Sequence, residues 1–379
     1  MKVLYLISGT NMGGATLSFL TLIRFMKEKG EEPYVVIPDD DSTFTKLLDD
    51  SNIPFFIAPI PFFCYPKERK GIKYILHLFH MFIRELIAEH TLNRIVNKIK
   101  PDFIHTNVGP LAAGHFIAKK REIPHIWHIR EYADRDFNIH FFPSKKYFQK
   151  IIAQDTTISI TQDLLKYNKL ENNKKAFAVY NGVRNQHEIY FNSNKEKYFL
   201  CASRISPEKN HTETISVFSL FYKKHPEYKL IILGDGDVTY INHLKRQCFS
   251  LGCHEAVEFK GFSHNVSDYM RKAKALLVTS YAEGFGRMTA EACFDGCIVI
   301  GRDSCGTKEI LSQTGGFLYK TQEEMFTAME GVASLDSEKY RFLVEKAQKK
   351  AQELFSIEQY THNIYSIYKQ TLNITYKND

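Results

Sequence analysis

The chain carries Glu283-Gly284-Phe285-Gly286-Arg287-Met288-Thr289-Ala290-Glu291-Ala292 directly after an apolar run at 275–279, Ala-Leu-Leu-Val-Thr. The run reads as a strand, and the two glycines read as a tight turn that lets backbone approach a ligand closely. The residues after the turn read as a helix starting near Arg287. In an open parallel sheet, ligands bind beyond the carboxyl ends of the strands. The amides of residues 287–290 are then expected to be unpaired and to point, with the helix dipole, at an anion such as phosphate. Glu283 falls in the loop and Glu291 one turn into the helix. That spacing allows both carboxylates to accept hydrogen bonds from sugar hydroxyls in one pocket. On spacing alone a plainer alternative stands beside it, with Glu283 a solvated residue and Glu291 a favourable charge near a helix start.

Outward from this segment, short apolar runs rich in β-branched and aromatic residues alternate with stretches of helical period. The runs fall at 3–7, 34–37, 54–58, 103–105, 125–129, 157–160 and 177–180, with helical stretches such as 16–29 and 71–99 between them. The pattern restarts at 198–202, 229–233, 257–259, 275–279 and 297–300. Such alternation predicts βαβ units and parallel sheets covered on both faces. The polar, aperiodic stretch 185–197 reads as a linker. The expected fold is therefore α/β with two doubly wound Rossmann-like domains, residues 1–190 and 191–355. A helical tail, 356–379, is expected to pack back on the first domain. Two domains suit a chain of 379 residues, at roughly 100–200 residues per domain.

Composition narrows the class. With 44% hydrophobic and 25% charged residues, the chain is neither disordered nor collagen-like. No stretch approaches the ~20 apolar residues of a spanning helix, and the most apolar one, 53–65, is broken by Pro54, Pro59 and Pro61. The run at 3–7 is too short for the core of a secretion signal. Seven scattered cysteines without a CxxC pair suggest reduced thiols in a cytoplasmic protein, not a disulfide framework or a zinc site. The net charge is +7, and residues 1–190 hold 26 Lys+Arg against 20 Asp+Glu. That bias suits anionic small molecules or an anionic membrane surface. It argues against nucleic acid, since the cations are interspersed with acids and form no long block.

The segment 283–292 closely resembles the E-x7-E motif of the GT4 family of retaining glycosyltransferases, whose fold is GT-B, two Rossmann-like domains facing a central cleft. Other pieces occur in order. Ala202 to Asn210, ASRISPEKN, resembles the family's GRL-x-PEKG segment, with Ser203 in place of its glycine. LGDGD (233–237) resembles its GDG loop, FKGF (259–262) its F-x-G loop beside the base, YNGV (180–183) its NGV segment, and GTNMGGATLSF its amino-terminal Gly-Gly loop. The resemblance implies a first domain that presents the acceptor and a second that binds a nucleotide-diphosphate sugar. It implies that Arg204, Lys209 and the amides at Arg287, Met288 and Thr289 hold the diphosphate, and that Glu291 holds the ribose. Glu283, Gly284, Phe285 and Gly286 would orient the donor sugar, with Gly14, Asn181 and Gly261 also on the donor. His128, Glu283, Arg204 and Lys209 are its implied catalytic residues. The reaction implied is sugar transfer to a saccharide or polyprenyl-linked saccharide, with retention, without metal or other cofactor, in cell-surface polysaccharide synthesis at the inner face of the membrane. A silent subunit supporting a partner transferase, a nucleotide-sugar epimerase of the same fold and a metal-dependent transferase are the alternatives.

The physical reading of these residues runs parallel. Arg engages phosphate bidentately and Lys as a point charge. Alternation along 125–129 puts His128 and His125 on opposite faces. Asp39-Asp40-Asp41 and Asp235-Gly236-Asp237 both spell DxD, a metal-holding pattern, but each follows a strand and reads more simply as a helix start or glycine loop. The segment from Lys67 to Leu86 joins a basic cluster to a helix bearing Tyr74, Leu78, Phe79, Phe82, Ile83 and Leu86. It reads either as an amphipathic element for an anionic membrane or as a domain helix with its apolar face inward.

Overall fold

The structure is a computed structural model and describes residues 1–9, 13–40, 42–137 and 139–375. It divides into two compact units, Met1–Asn181 with the chain from Tyr360 onward, and Gly182–Gln359. The strands of the first unit are β1 (Lys2–Leu6), β2 (Glu32–Ile37), β3 (Phe55–Ile57), β4 (Cys64–Pro66), β5 (Phe103–Thr106), β6 (His125–Ile129), β7 (Ile139–Phe141), β8 (Thr156–Ser159) and β9 (Ala176–Ala178). Those of the second are β10 (Tyr198–Ala202), β11 (Lys229–Leu233), β12 (Val257–Gly261), β13 (Ala275–Val278), β14 (Val299–Arg302) and β15 (Phe317–Tyr319). All but β4 and β7 lie in two sheets, ordered β3-β2-β1-β5-β6-β8-β9 and β12-β11-β10-β13-β14-β15, and every pairing within them is parallel. Both are α/β sheets of the doubly wound kind.

Burial explains the composition of the strands. On β1, Val3 and Tyr5 enter one core with Phe19, Ile23 and Phe103, while Leu4 and Leu6 enter another with Leu92, Ile95 and Ile104. On β10, Phe199 and Cys201 face one side, and Leu200 and Ala202 the other. Both faces of each sheet are thus covered, which is why the strands read as continuous apolar runs. From Tyr360 onward the last helix contributes Tyr360, Ile364, Ile367 and Tyr368, spaced by helical turns, to the core of the first unit.

The units divide at 181/182 and 359/360, where the sequence reading places 190/191 and 355/356. Polar composition at 185–197 conceals a segment pinned to the second unit. The Tyr190 amide donates to Phe294 O (2.8 Å) and the Glu196 amide to Lys272 O (2.8 Å), while Lys195 Nζ donates to Arg271 O and Gly296 O. The three-residue strands β4, β7 and β15 escape the sequence reading, whereas β3 and β9, equally short, overlap the apolar runs 54–58 and 177–180. All seven cysteines are free thiols, and among the described residues no helix is long and apolar enough to cross a membrane.

Candidate active site

In the second sheet the chain order reverses between β10 and β13. Strands β11 and β12 lie to one side and β14 and β15 to the other. At such a switch point the loops leaving two neighbouring strands diverge and open a crevice. The loop after β10 carries Arg204 and Lys209, and the loop after β13 carries Glu283 to Gly286. Adjacent parallel pairing of β10 with β13 therefore brings together two motifs that lie far apart in sequence.

The first loop is held by backbone against backbone. The Ser203 amide donates to Leu233 O (3.1 Å) and the Ile205 amide to Asp235 O (2.8 Å). A Cβ on Gly234 would come within 1.9 Å of Ser203 O, and one on Gly236 within 2.0 Å of Ile205 O. The glycines of LGDGD thus permit the close approach that sets Arg204 where it is. Next comes a 3-10 turn, Pro207–Lys209, closed by Asn210 in the left-handed region at φ +55°. Thr279 Oγ1 donates to Lys209 O (2.8 Å), tying this loop to the end of β13. Arg204 is exposed and makes no ion pair among the described residues.

In the second loop Glu283 meets Lys209, with Nζ to Oε1 at 2.5 Å. The Gly306 amide, in the first turn of the helix Cys305–Thr314 that follows β14, donates to Glu283 O (2.9 Å), and Phe285 is buried edge-on to Phe355. Gly286 takes φ +87°, a left-handed conformation that suits glycine, and the helix begins at Arg287 as the sequence reading has it. The amides do not all remain available. Those of Thr289 and Ala290 donate to Gly286 O at 2.9 and 3.2 Å, because the N-cap carbonyl accepts the first intrahelical bonds. Of the amides expected to face an anion, those of Thr289 and Ala290 are thus taken up inside the helix.

Glu291 is 7% exposed. Its Oε1 accepts from Arg287 Nε at 2.8 Å, one helical turn back, and lies 3.7 Å from Arg184 Nη1. Burial raises its pKa above the ordinary carboxylate value, while the Arg287 and Arg184 cations pull it back down. The two glutamates of the motif are thus each held by a different cation. Gly261, at φ +70°, accepts from the Gly234 amide (2.9 Å), and Asp235 Oδ1 accepts from the Phe262 amide (3.1 Å). Asp237 caps the helix Val238–Ser250 by accepting from the Tyr240 amide. Both carboxylates of that DxD have structural work. Of the other, Asp41 lies outside the described residues.

In the first unit the helix Gly14–Glu28 starts after β1 with Gly13 as its N-cap. His128 is wholly buried. Burial, with Arg130 and His105 nearby, holds it neutral with a pKa well below the usual histidine value. Its Nδ1 lies 3.4 Å from Arg130 Nη2, while its Nε2 has no hydrogen-bond partner among the described residues. Arg130 donates to Asn107 Oδ1, Asn181 Oδ1 and Tyr360 OH, so Asn181 is a ligand of Arg130. The opposite face of β6 carries His125, which with His115 and Trp127 converges on Asp155 Oδ2 at 2.7, 2.7 and 2.9 Å. Those two histidines and Asp155 are grouped closely enough to hold a metal. Three N–H groups already fill the one carboxylate oxygen they share, which is the chemistry of a structural anchor.

Sequence reasoning missed Arg184, although it comes directly after the quoted YNGV, and missed the start of the helix Cys305–Thr314. There Gly306 packs so tightly that a Cβ would lie 2.5 Å from Phe285 O. The signal for both was adjacency in the sheet, which a motif does not carry.

Residues 183–370 match the family described as "Glycosyl transferases group 1". The chain is 29% identical over 163 residues to poly(glycerol-phosphate) alpha-glucosyltransferase of Bacillus subtilis, covering 42% of this chain and 24% of that relative. It is also 29% identical over 171 residues to human GDP-Man:Man(3)GlcNAc(2)-PP-Dol alpha-1,2-mannosyltransferase, covering 41% of this chain and 34% of that one. The match thus spans about a quarter to a third of these relatives' length. Among solved structures, Anabaena HepE in complex with UDP superposes with a TM-score of 0.79 at 18% identity, covering 98% of this chain and 100% of that one. Sheets, switch point and structural likeness define the class: two Rossmann-like domains of the GT-B kind. The match of residues 183–370 to the glycosyl transferases group 1 family is in keeping with the GT4 resemblance of the motifs.

Proposed function

We propose that this protein is a glycosyltransferase that moves a sugar from a nucleotide-diphosphate sugar to a saccharide or lipid-linked saccharide, with retention and without a metal ion, in cell-surface polysaccharide synthesis. One observation carries the reading. At the switch point of the second sheet, two cations and one glutamate on neighbouring loops meet a helix start that carries a second glutamate. The comparisons support it, since HepE was solved with UDP and the human relative is named for a GDP-mannose donor and a dolichol-linked acceptor.

In this reading the diphosphate lies against Arg204 and Lys209, at the start of helix Arg287–Phe294. Lys209 enters already paired with Glu283. Partly exposed pairs of this kind are worth about 0–1 kcal/mol, so exchange is easy. Phosphate takes the ammonium, and Glu283 turns to a hydroxyl of the transferred sugar. Glu291, with one oxygen anchored by Arg287, offers its other oxygen to the ribose. As the glycosidic bond breaks, negative charge grows on the diphosphate and is met by groups already oriented, the usual source of electrostatic catalysis. With that counter-charge in place no metal is required, and the acceptor attacks from the face the diphosphate leaves. His128 is assigned to the reacting sugar on the resemblance alone; its complete burial beside Arg130 fits a positioning role better than direct contact.

Incubating the protein with UDP-, GDP- and CDP-sugars and a saccharide acceptor, with EDTA present, tests the proposal. Transfer with the anomeric configuration kept is the expected result. Hydrolysis or epimerisation only, an inverted product, or loss of activity in EDTA would each contradict the corresponding part. A second reading, a silent subunit that supports a partner transferase, has one observation in its favour, the exposed apolar stripe on helix Ile72–Ile99. Turnover by the isolated chain excludes it.

A further inference from the structure

Helix Ile72–Ile99 of the first unit is amphipathic in the wrong sense for a domain helix. Positions 72, 75, 76, 79, 82, 83, 86 and 87 are all Ile, Leu or Phe, and each is 40–67% exposed. They recur every three or four residues, so they form one stripe along about four turns. The side turned inward is the more polar. His77 Nε2 lies 3.1 Å from Cys64 O, Arg84 Nε donates to Pro59 O (3.3 Å), and Glu85 has its Oε2 buried. A contiguous outward patch of this size marks an interaction surface. Of the two sequence readings of 67–86, the inward apolar face is therefore overturned for most of this half of the helix, where Met81 alone among the described apolar residues is fully buried; from Ala88 on the helix turns apolar residues such as Leu92 and Ile95 into the core.

Charge selects the occupant. Arg69, Lys70 and Lys73 are exposed at the amino-terminal end of the stripe, and between Arg69 and Arg84 there is no acidic residue. A second copy of this chain would bring the same uncompensated cations with its own stripe. An anionic lipid surface offers hydrocarbon to the stripe and phosphate to the cations at the same depth. We propose that this helix lies in the plane of an anionic bilayer, its 72–87 stripe in the headgroup–acyl boundary and Arg69, Lys70 and Lys73 on the headgroups. The inference is independent of the donor site, since lipid binding needs no nucleotide.

Vesicle flotation of the full chain tests it, using phosphatidylcholine vesicles with and without phosphatidylglycerol. Wild type is expected to float with the mixed vesicles and far less with phosphatidylcholine alone. Phe79→Glu with Leu86→Glu is expected to lower partitioning on the order of a hundredfold, as two large apolar side chains leave the boundary. Lys70→Glu with Lys73→Glu is expected to lower it on the order of tenfold and only on the anionic vesicles. All four residues are exposed, so unchanged melting temperatures and unchanged transfer to a water-soluble acceptor are expected. Ile75→Ser with Leu76→Ser repeats the test by a milder change. Wild type that stays in the soluble fraction with both vesicle types, or floats equally well after the stripe is substituted, overturns the proposal. So does a dimer seen by light scattering that the Phe79/Leu86 variant dissociates while vesicles bind neither form.

Discussion

At the scale of single residues, the sharing of cations decides how the site works. Arg204 has no ion pair among the described residues to give up, whereas Lys209 must leave Glu283. Arg204→Ala is therefore expected to lower kcat by about 10²–10³, the usual effect of removing one donor aimed at developing charge, with a smaller change in KM. Steady-state kinetics on a nucleotide-sugar donor check this, and normal turnover would remove Arg204 from its role. Glu291→Gln is expected to weaken nucleotide binding by about tenfold or more, since a charged hydrogen bond is worth roughly 1.5–3 kcal/mol. The loss should largely vanish for a 2′-deoxynucleotide if ribose is what Glu291 reads. That Glu283, Glu291, Arg204 and Lys209 lie just beyond strand ends was legible in the sequence because each sits in a patterned segment after an apolar run. The Lys209–Glu283 pair and the Arg184 approach to Glu291 were not. They join residues far apart in the chain, and only strand order brings them together.

At the scale of elements, close backbone approach makes the glycine loops sensitive. Gly234 has φ +136° and no room for a methyl group against Ser203 O. Gly234→Ala is expected to lose about 2–4 kcal/mol from combined strain and overpacking, read as a fall in the urea midpoint. The helix His211–Lys224 opens with a buried histidine, which burial and the Lys209 cation hold down at about 4. Because that folded value lies below the ordinary 6.5, the unfolded chain takes up the proton first. The stability His211 contributes is present above pH 6.5 and is lost as pH falls toward 4. His211→Gln should flatten that limb of the stability curve relative to wild type, and urea denaturation at several pH values measures it. An identical slope in the variant would assign the titration elsewhere. Strands of five residues were legible from their apolar runs, and helix Arg287–Phe294 from its glycine turn. Helix Ile72–Ile99 was legible as amphipathic but not in its orientation. Period shows which residues share a face; it does not show which face the rest of the chain covers.

For the whole molecule, repetition of the βαβ pattern made two doubly wound units legible, but not where the chain passes between them. Polar residues at 185–197 read as a linker, yet their backbone is anchored to the second unit, and unit 2 begins at Gly182. The last helix joins the first unit through Tyr360, Ile364 and Tyr368, contacts across more of the chain than any local pattern spans. What the two sheets share is a reversal of strand order. Only in the second do the loops at that reversal carry paired cations and carboxylates. The central claim is that this second crevice holds the nucleotide. Crystals of the full chain soaked in turn with UDP, GDP and CDP test it most directly. For at least one of them, density is expected with the diphosphate within ion-pair distance of Arg204 and Lys209 and the ribose against Glu291. Nucleotide bound instead among the residues of Met1–Asn181, or bound in the second unit away from Glu291, would contradict it.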